Sequence, residues 1–424
     1  MSKLPKPVTA AAADLSSWLR DGDRVLVGQG TGEPATLTRL LGEAARERSD
    51  LTAIIGATLG ELPGAANGLR FESYGAMGTA TRLPEASLTV VPLHYAQFVA
   101  RIGDGRMPCD VVLIQLSTPD ERGHAYLGMG DLHLIDAARR ARVVIAEINP
   151  HTPRTPGTLW PSDVPVHLAV DAQAAPLAPT ASEASKADRD IAGHVASLVP
   201  DRAVIQLGIG RLPNTIAEAL RDHRDLGLHS GVLTDGGAAL IRAGALTNAA
   251  KEIDAGVSVA GVIIGGPVLL DHVRQDPAIE IRPTAHTHST AAIARLSRFV
   301  AINSAIEVDL TGQINAESAA GRRTGGTGGQ VDVTRGAQCS PGGRAVVALP
   351  STARRGSISR IVPRASSVTV ARADADTIVT EWGVAELAGH PVDERARRMI
   401  EIAEPRFREE LSRYWHDEGR HRHG

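Results

Sequence analysis

The sequence predicts an α/β protein made of two similar open domains with mainly parallel sheets. Strand-like runs alternate with amphipathic helical patterns, which is the order of βαβ units. The runs are mainly apolar without alternation, as in strands covered on both faces. A glycine-rich strand, helix and second strand also occur twice, once in each half of the 424 residues.

In chain order, a polar, Ala-rich segment up to Leu19 precedes residues 24–28 (RVLVG), a buried strand, then 35–49 (ATLTRLLGEAARERS), an amphipathic helix, and 51–57 (LTAIIGA), a strand. Further buried strands are expected at 110–117, 142–149, 202–208, 299–310 and 344–350. Residues 171–189 (DAQAAPLAPTASEASKADR) are rich in Ala, Ser and Pro without apolar period and read as a linker. The expected domains are therefore residues 1–180 and 181–424. The first holds Gly28-Gln29-Gly30-Thr31-Gly32-Glu33-Pro34 after its first strand; the second holds Gly208-Ile209-Gly210 and Pro213 after its own. Residues 226–231 (LGLHSG) align with 51–56 (LTAIIG), so the two units are read as diverged copies.

Composition narrows the function. Lys and Arg total 45 against 48 Asp and Glu, a formal net charge of -3, so no basic field recruits nucleic acid or anionic lipid. The most apolar window, residues 257–270, is shorter than the roughly 20 residues that cross a bilayer, and the N-terminus lacks the apolar stretch of a signal peptide. Two cysteines, Cys109 and Cys339, form no disulfide framework or zinc spacing. A cytoplasmic protein without membrane or nucleic-acid partners is expected. Neither glycine pair completes GxGxxG, and GxxxxGK[ST], GxSxG and HExxH are absent, which argues against nicotinamide, P-loop, hydrolase-elbow and zinc chemistry. The C-terminal RHRHG reads as a solvated tail.

What remains is a set of glycine loops at strand ends with glutamates beside them. Backbone donors in such loops suit phosphate and thioester ligands, and a glutamate among them can act as base or nucleophile. A second cluster, Gly325-Gly326-Thr327-Gly328-Gly329-Gln330, can expose N–H groups to an acyl oxygen.

Residues 301–313 (AINSAIEVDLTGQ) and 328–337 (GGQVDVTRGA) resemble the signature of the acetyl-CoA hydrolase/transferase family. Ser359-Arg360-Ile361-Val362, residues 380–385 (TEWGVA), residues 115–121 (QLSTPDE) and the stretch from Ala146-Glu147-Ile148-Asn149 to Gly157 extend the resemblance over nearly the whole chain. It implies a class I CoA-transferase, similar to 4-hydroxybutyrate CoA-transferase, with a CoA thioester as substrate, no further cofactor and no metal. The acceptor implied is a small carboxylic acid of the hydroxybutyrate, succinate or itaconate type, and a homodimer or higher homo-oligomer is expected. In that family a glutamate in a His-Thr-Glu segment attacks the thioester. Here the segment is His229-Ser230-Gly231, so the usual nucleophile position is glycine.

The repeat points to the loop after residues 51–56, where Glu61 lies between Gly60 and Leu62-Pro63-Gly64, a restricted turn suited to presenting one side chain. Glu61 is the expected nucleophile. Glu33 competes, although its place before Pro34 suits a first-turn acid at a helix N-terminus. By resemblance Gly208, Gly210, Gly328, Gly329 and Gln330 supply the oxyanion and CoA contacts, and Glu307 serves architecture or substrate orientation. Arg335 is expected to bind a CoA phosphate or substrate carboxylate, with a surface ion pair as the other reading. Hydrolysis of acyl-CoA through the same glutamate, and CoA binding without catalysis, are the alternatives.

Overall fold

The computed structural model describes residues 4–64, 68–180 and 182–419; the RHRHG tail lies outside them. Two compact units are present, Met1–Pro179 with Val259–Thr287, and Thr180–Ser258 with His288–Gly424.

In the first unit seven strands form one sheet: β1 (Arg24–Val27), β2 (Thr52–Ile55), β3 (Arg70–Ser73), β4 (Leu88–Val90), β5 (Val111–Ser117), β6 (Val143–Asn149) and β7 (Leu168–Asp171), in the order β4-β3-β2-β1-β5-β6-β7. All neighbours are parallel. Every residue of β5 and β6 is buried, which explains their largely apolar character; the polar exceptions, Gln115, Ser117, Glu147 and Asn149, lie in their C-terminal halves. Helix α1 (Ala35–Ala44) covers one face through Leu37, Leu40 and Leu41, each burial contributing roughly 1.5–3 kcal/mol. It ends five residues before the expected 49. The Ala-rich segment before Leu19 forms only the short 3₁₀ turns Ala10–Ala12 and Ser16–Trp18.

The expected division into 1–180 and 181–424 differs in one respect, because residues 259–287 return to the first unit. Ile263 N–H donates to Met129 O at 2.7 Å, Gly265 N–H to Thr31 Oγ1 at 3.1 Å and Ile281 N–H to Pro156 O at 3.0 Å. These bonds join residues more than 100 positions apart, which no local pattern announces.

In the second unit β8 (Val204–Leu207), β9 (Gly227–Leu233), β10 (Phe299–Ser304), β11 (Arg344–Ala348), β12 (Thr377–Thr380) and β13 (Gly383–Glu386) lie in the order β9-β8-β10-β11-β12-β13. All pairs are parallel except β12 with β13. Helix α2 (Lys186–Ser197) starts where the linker ends, with Ser185 and Asp188 forming a reciprocal capping box. The two units share a pattern. Each begins with a strand that pairs with the next strand on one side and a later strand on the other, so the chain leaves β1 and β8 at a point where strand order reverses. Ligands of open α/β sheets bind outside the C-terminal ends of strands at such points. Pairing of Arg24 with Thr52 and of Val204 with Gly227 makes Gly28 equivalent to Gly208 and Gly56 equivalent to Gly231.

The expected strand 299–310 divides into β10 and Glu307–Asp309, and the signature after it proves architectural. Fully buried Asp309 accepts from Thr311 N–H (2.9 Å) and Oγ1–H (2.7 Å) and from Gln313 N–H (3.0 Å) and Nε2–H (3.0 Å). Glu307 accepts from Ser366 N–H at 2.7 Å and Asn315 Nδ2–H at 2.9 Å. Asp309→Ala strands these buried donors, and a fall of about 3 kcal/mol or more in unfolding free energy is expected by urea denaturation of the full chain. A variant as stable as the wild type would contradict this role.

Candidate active site

The first unit's loops after β1 and β2 are tied together by Gln29. Its Oε1 accepts from Ala57 N–H and Tyr74 Oη–H, both at 3.0 Å, and its Nε2–H donates to Asp131 Oδ1 at 2.9 Å and Tyr95 Oη at 3.1 Å. Burial, with the Asp131 carboxylate nearby, raises the pKa of Tyr74 and Tyr95, so both phenols stay protonated. Gly56 is the glycine that admits this contact: a Cβ there would lie 1.8 Å from Gln29 Oε1.

Glu33 holds the same loop further on. It is 2% exposed, and its Oε2 accepts from Leu59 N–H at 2.9 Å and Gly60 N–H at 3.2 Å. Thr79 Oγ1–H donates to Gly60 O at 2.6 Å from the other side. The loop that presents Glu61 is therefore bonded at Ala57, Leu59 and Gly60, while Glu61 itself is exposed. Glu33 does not serve the N-terminus of α1 as expected. That place belongs to Glu147 at the end of β6, whose Oε2 accepts from Thr36 N–H (2.8 Å) and Leu37 N–H (3.2 Å). Burial raises the pKa of both carboxyls against these hydrogen bonds, and the charge of Glu33 raises Glu147 further.

In the second unit, the loop after β8 runs through Gly208, whose N–H donates to Ile302 O at 3.0 Å, to Gly210, where helix α3 (Arg211–Ala219) begins. Gly210 has φ +109° with open space beyond it, so its backbone rather than crowding calls for glycine. Gly329 precedes helix α4 (Gln330–Cys339), placing the GGQ segment at a helix N-terminus. Arg335 lies on the exposed side of α4, with Nη2 3.0 Å and Nε 3.3 Å from Asp374 Oδ2, which is the surface ion pair of the two readings.

His288 was not anticipated. Its ring fills the space over two of these glycines: a Cβ at Gly231 would lie 2.6 Å from Cε1 and 2.8 Å from Nε2, and one at Gly329 only 2.4 Å from Nε2. The volume that a side chain at position 231 would take is thus occupied by an imidazole. Burial pushes its pKa down to about 4. Nothing local in residues 284–290 (TAHTHST) signals this, because the contacts come from positions 57 and 41 residues away.

The sequence model of the acetyl-CoA hydrolase/transferase C-terminal domain matches residues 265–415. The 4-hydroxybutyrate coenzyme A transferase of Clostridium kluyveri is 34% identical over 414 residues, 96% of each chain. The chain belongs to the acetyl-CoA hydrolase/transferase family. A second relative, succinyl-CoA:cyclohexane-1-carboxylate CoA transferase of Geobacter metallireducens, is 36% identical over 75% of this chain and 74% of its own. The crystal structure of RipA from Yersinia pestis superposes with a TM-score of 0.89 at 31% identity, covering 97% of both chains. The fold of the family and the class I CoA-transferase reading of the sequence agree with these findings. No described helix is long and apolar enough to cross a membrane.

Two predictions follow from the packing of His288. Gly231→Ala is expected to cost about 1–3 kcal/mol through overpacking, and His288→Ala in the same chain to relieve that cost; additive effects in a double-mutant cycle would rule the contact out. The second concerns pH. With its folded pKa near 4 and an unfolded value near 6.5, His288 leaves stability untouched above pH 6.5 and lowers it as pH falls towards 4, because the unfolded chain takes up the proton first. At pH 5 this amounts to roughly 2 kcal/mol. Urea unfolding at pH 7 and pH 5 is expected to show a smaller acid loss for His288→Gln than for the wild type, and equal losses would refute it.

Proposed function

We propose that this CoA-transferase moves CoA from an acyl-CoA to a small carboxylic acid through a covalent thioester on Glu61. The observation that carries the reading is the loop after β2: it begins at Gly56, in register with Gly231, and is fixed by Gln29, Glu33 and Thr79 just before Glu61. An ionised carboxylate on a fixed backbone is a positioned nucleophile.

The Glu61 carboxylate attacks the thioester carbonyl, the C–S bond breaks and CoA leaves as thiolate. The thiolate then attacks the glutamyl carbonyl of the resulting anhydride, releasing the first acid and leaving a glutamyl-CoA thioester. The acceptor carboxylate reverses the sequence, forming a new acyl-CoA and freeing Glu61. No electrons are exchanged and no external reagent is consumed. Glu33 acts here as a positioning residue through the Leu59 and Gly60 amides. The glycine loops after β8 and before α4, with Gln330, are assigned to the thioester oxygen and CoA; Arg335, engaged by Asp374, is left out.

The acceptor class is the hydroxybutyrate, succinate or itaconate type, in keeping with relatives named for hydroxybutyrate and succinyl-CoA. The reading includes no cofactor beyond the CoA thioester, a cytoplasmic location and a homo-oligomeric assembly. Intact-protein mass spectrometry after incubation with acyl-CoA is expected to show a CoA adduct that maps to Glu61 and is absent from Glu61→Gln. An adduct on Glu33 would move the nucleophile. CoA binding with no adduct and no turnover would support a non-catalytic protein, and release of free acid together with free CoA over many turnovers without acceptor would support a hydrolase.

A further inference from the structure

The stretch 115–121 runs from β5 into a loop that the transfer chemistry leaves without a role, and this loop borders a cavity of about 300 Å³ within the first unit. Leu4, Ala125, Trp160, Val164 and Val166 form apolar walls, and Arg122, His124 and Ser162 are the polar side chains beside them. Among the described residues no carboxylate lines it. Trp160, Val164 and Ala125 belong to the core on the sheet face served by Leu26, Val112 and Ile114, whereas Leu62, next to Glu61, packs on the opposite face with Val25, Val27 and Leu113. The cavity is therefore a place apart from the loop that presents Glu61.

Its walls are held from within. Trp160 Nε1–H donates to Val164 O at 3.0 Å, and Trp160 N–H to Ala125 O at 2.9 Å. Asp120 shapes the loop: its Oδ1 accepts from Arg122 N–H at 2.9 Å and His124 N–H at 2.8 Å, its own N–H donates to His124 O at 2.8 Å, and its Oδ2 lies 3.5 Å from His124 Nδ1. With these groups spent on the loop itself, the Arg122 guanidinium is what the loop has to offer. Arg122 is exposed, and among the described residues its side chain has no hydrogen bond or ion pair, although Asp120 and Glu121 are its neighbours in sequence.

Water suits this space badly. A volume of that size holds about ten molecules, and ordered water needs several polar partners each. The walls offer aliphatic carbon and an indole whose one N–H is already used. An apolar group gains by displacing such poorly bonded water. A guanidinium without a counter-ion favours a negatively charged end, and its planar fork matches a carboxylate through two parallel N–H bonds. Apolar walls with a few polar groups at one side are the common make-up of a small-molecule site, and the volume stands at the lower end of that class.

We propose that this cavity is a second binding site, which takes a small monocarboxylate with an apolar body: the ring or chain lies against Trp160, Val164 and Val166, and the carboxylate is held by Arg122. No covalent step is involved. Neither CoA nor Glu61 takes part, so the site stands or falls independently of transfer through Glu61.

The test is a ligand-observed NMR titration of the full chain with phenylacetate. Acetate, which lacks the ring, and phenylacetamide, which lacks the charge, serve as comparisons. Phenylacetate is expected to saturate with a Kd of about 1 mM or tighter, and both comparisons to bind at least about ten-fold more weakly. Arg122→Gln, a change at an exposed loop position, is expected to weaken phenylacetate about ten-fold and to leave phenylacetamide unchanged. Val166→Phe, which narrows the cavity, is expected to weaken both. No saturable binding of phenylacetate up to about ten times the expected constant overturns the proposal. Equal affinity for phenylacetate and phenylacetamide in the wild type overturns it too, because the guanidinium then plays no part. Binding that is undiminished in Arg122→Gln and in Val166→Phe places the probe elsewhere, the transfer site included, and overturns it as well.

Discussion

A polar side chain laid over a glycine in register on the second strand recurs in both halves of this molecule. In the first unit it is Gln29 over Gly56, in the second His288 over Gly231, at positions that the strand registers make equivalent. Removing the Cβ from the strand allows an amide or imidazole to approach backbone more closely than van der Waals contact with any other residue permits. From Gln29 the bonding spreads to Ala57, Tyr74, Tyr95 and Asp131, so the loop after β2 inherits its shape from the loop after β1. The symmetry is one of backbone and space. The two side chains that use it differ, and so does what each half offers a ligand.

The first unit also buries two carboxylates where charges are costly. Glu33 and Glu147 are each 2% exposed, and each accepts two backbone N–H groups that would otherwise be unmatched. Hydrogen bonds to the charged form offset desolvation only in part, which is why burial raises the pKa of both carboxyls. An aliphatic side chain would pack there without that penalty but would leave the amides of the Glu61 loop and of α1 without acceptors. Rigidity of the loops is what this arrangement supplies.

Much of this was legible in the sequence, for a physical reason. Strands buried on both faces are mostly apolar on both, so β5, β6 and β8 stand out without periodicity despite Gln115, Glu147 and Gln206, and the repeated Gly-x-Gly after β1 and β8 exposes the duplicated unit. The same repeat singles out the loop that holds Glu61, since equivalent strand positions can be counted. Properties of pairs distant in sequence were not legible. Glu147 reaches α1 across 111 positions, His288 reaches Gly231 across 57, and the return of residues 259–287 to the first unit depends on bonds to Thr31, Met129 and Pro156. Glu307 and Asp309 lie in a motif whose recurrence suggests chemistry, yet their oxygens are used by neighbouring amides and hydroxyls. A motif shows that residues matter together, and only the hydrogen bonds reveal whether they serve the ligand or the fold.

The interlock of Gly231 with His288 bears on how such a site can change over time. A carboxylate introduced at position 231 alone would collide with the imidazole, and loss of the imidazole alone would leave a cavity beside two glycines. Either order of exchange at these two positions passes through a less stable intermediate, so substitutions there are epistatic. The pair is held in place by a stability barrier, independent of any reaction the chain performs.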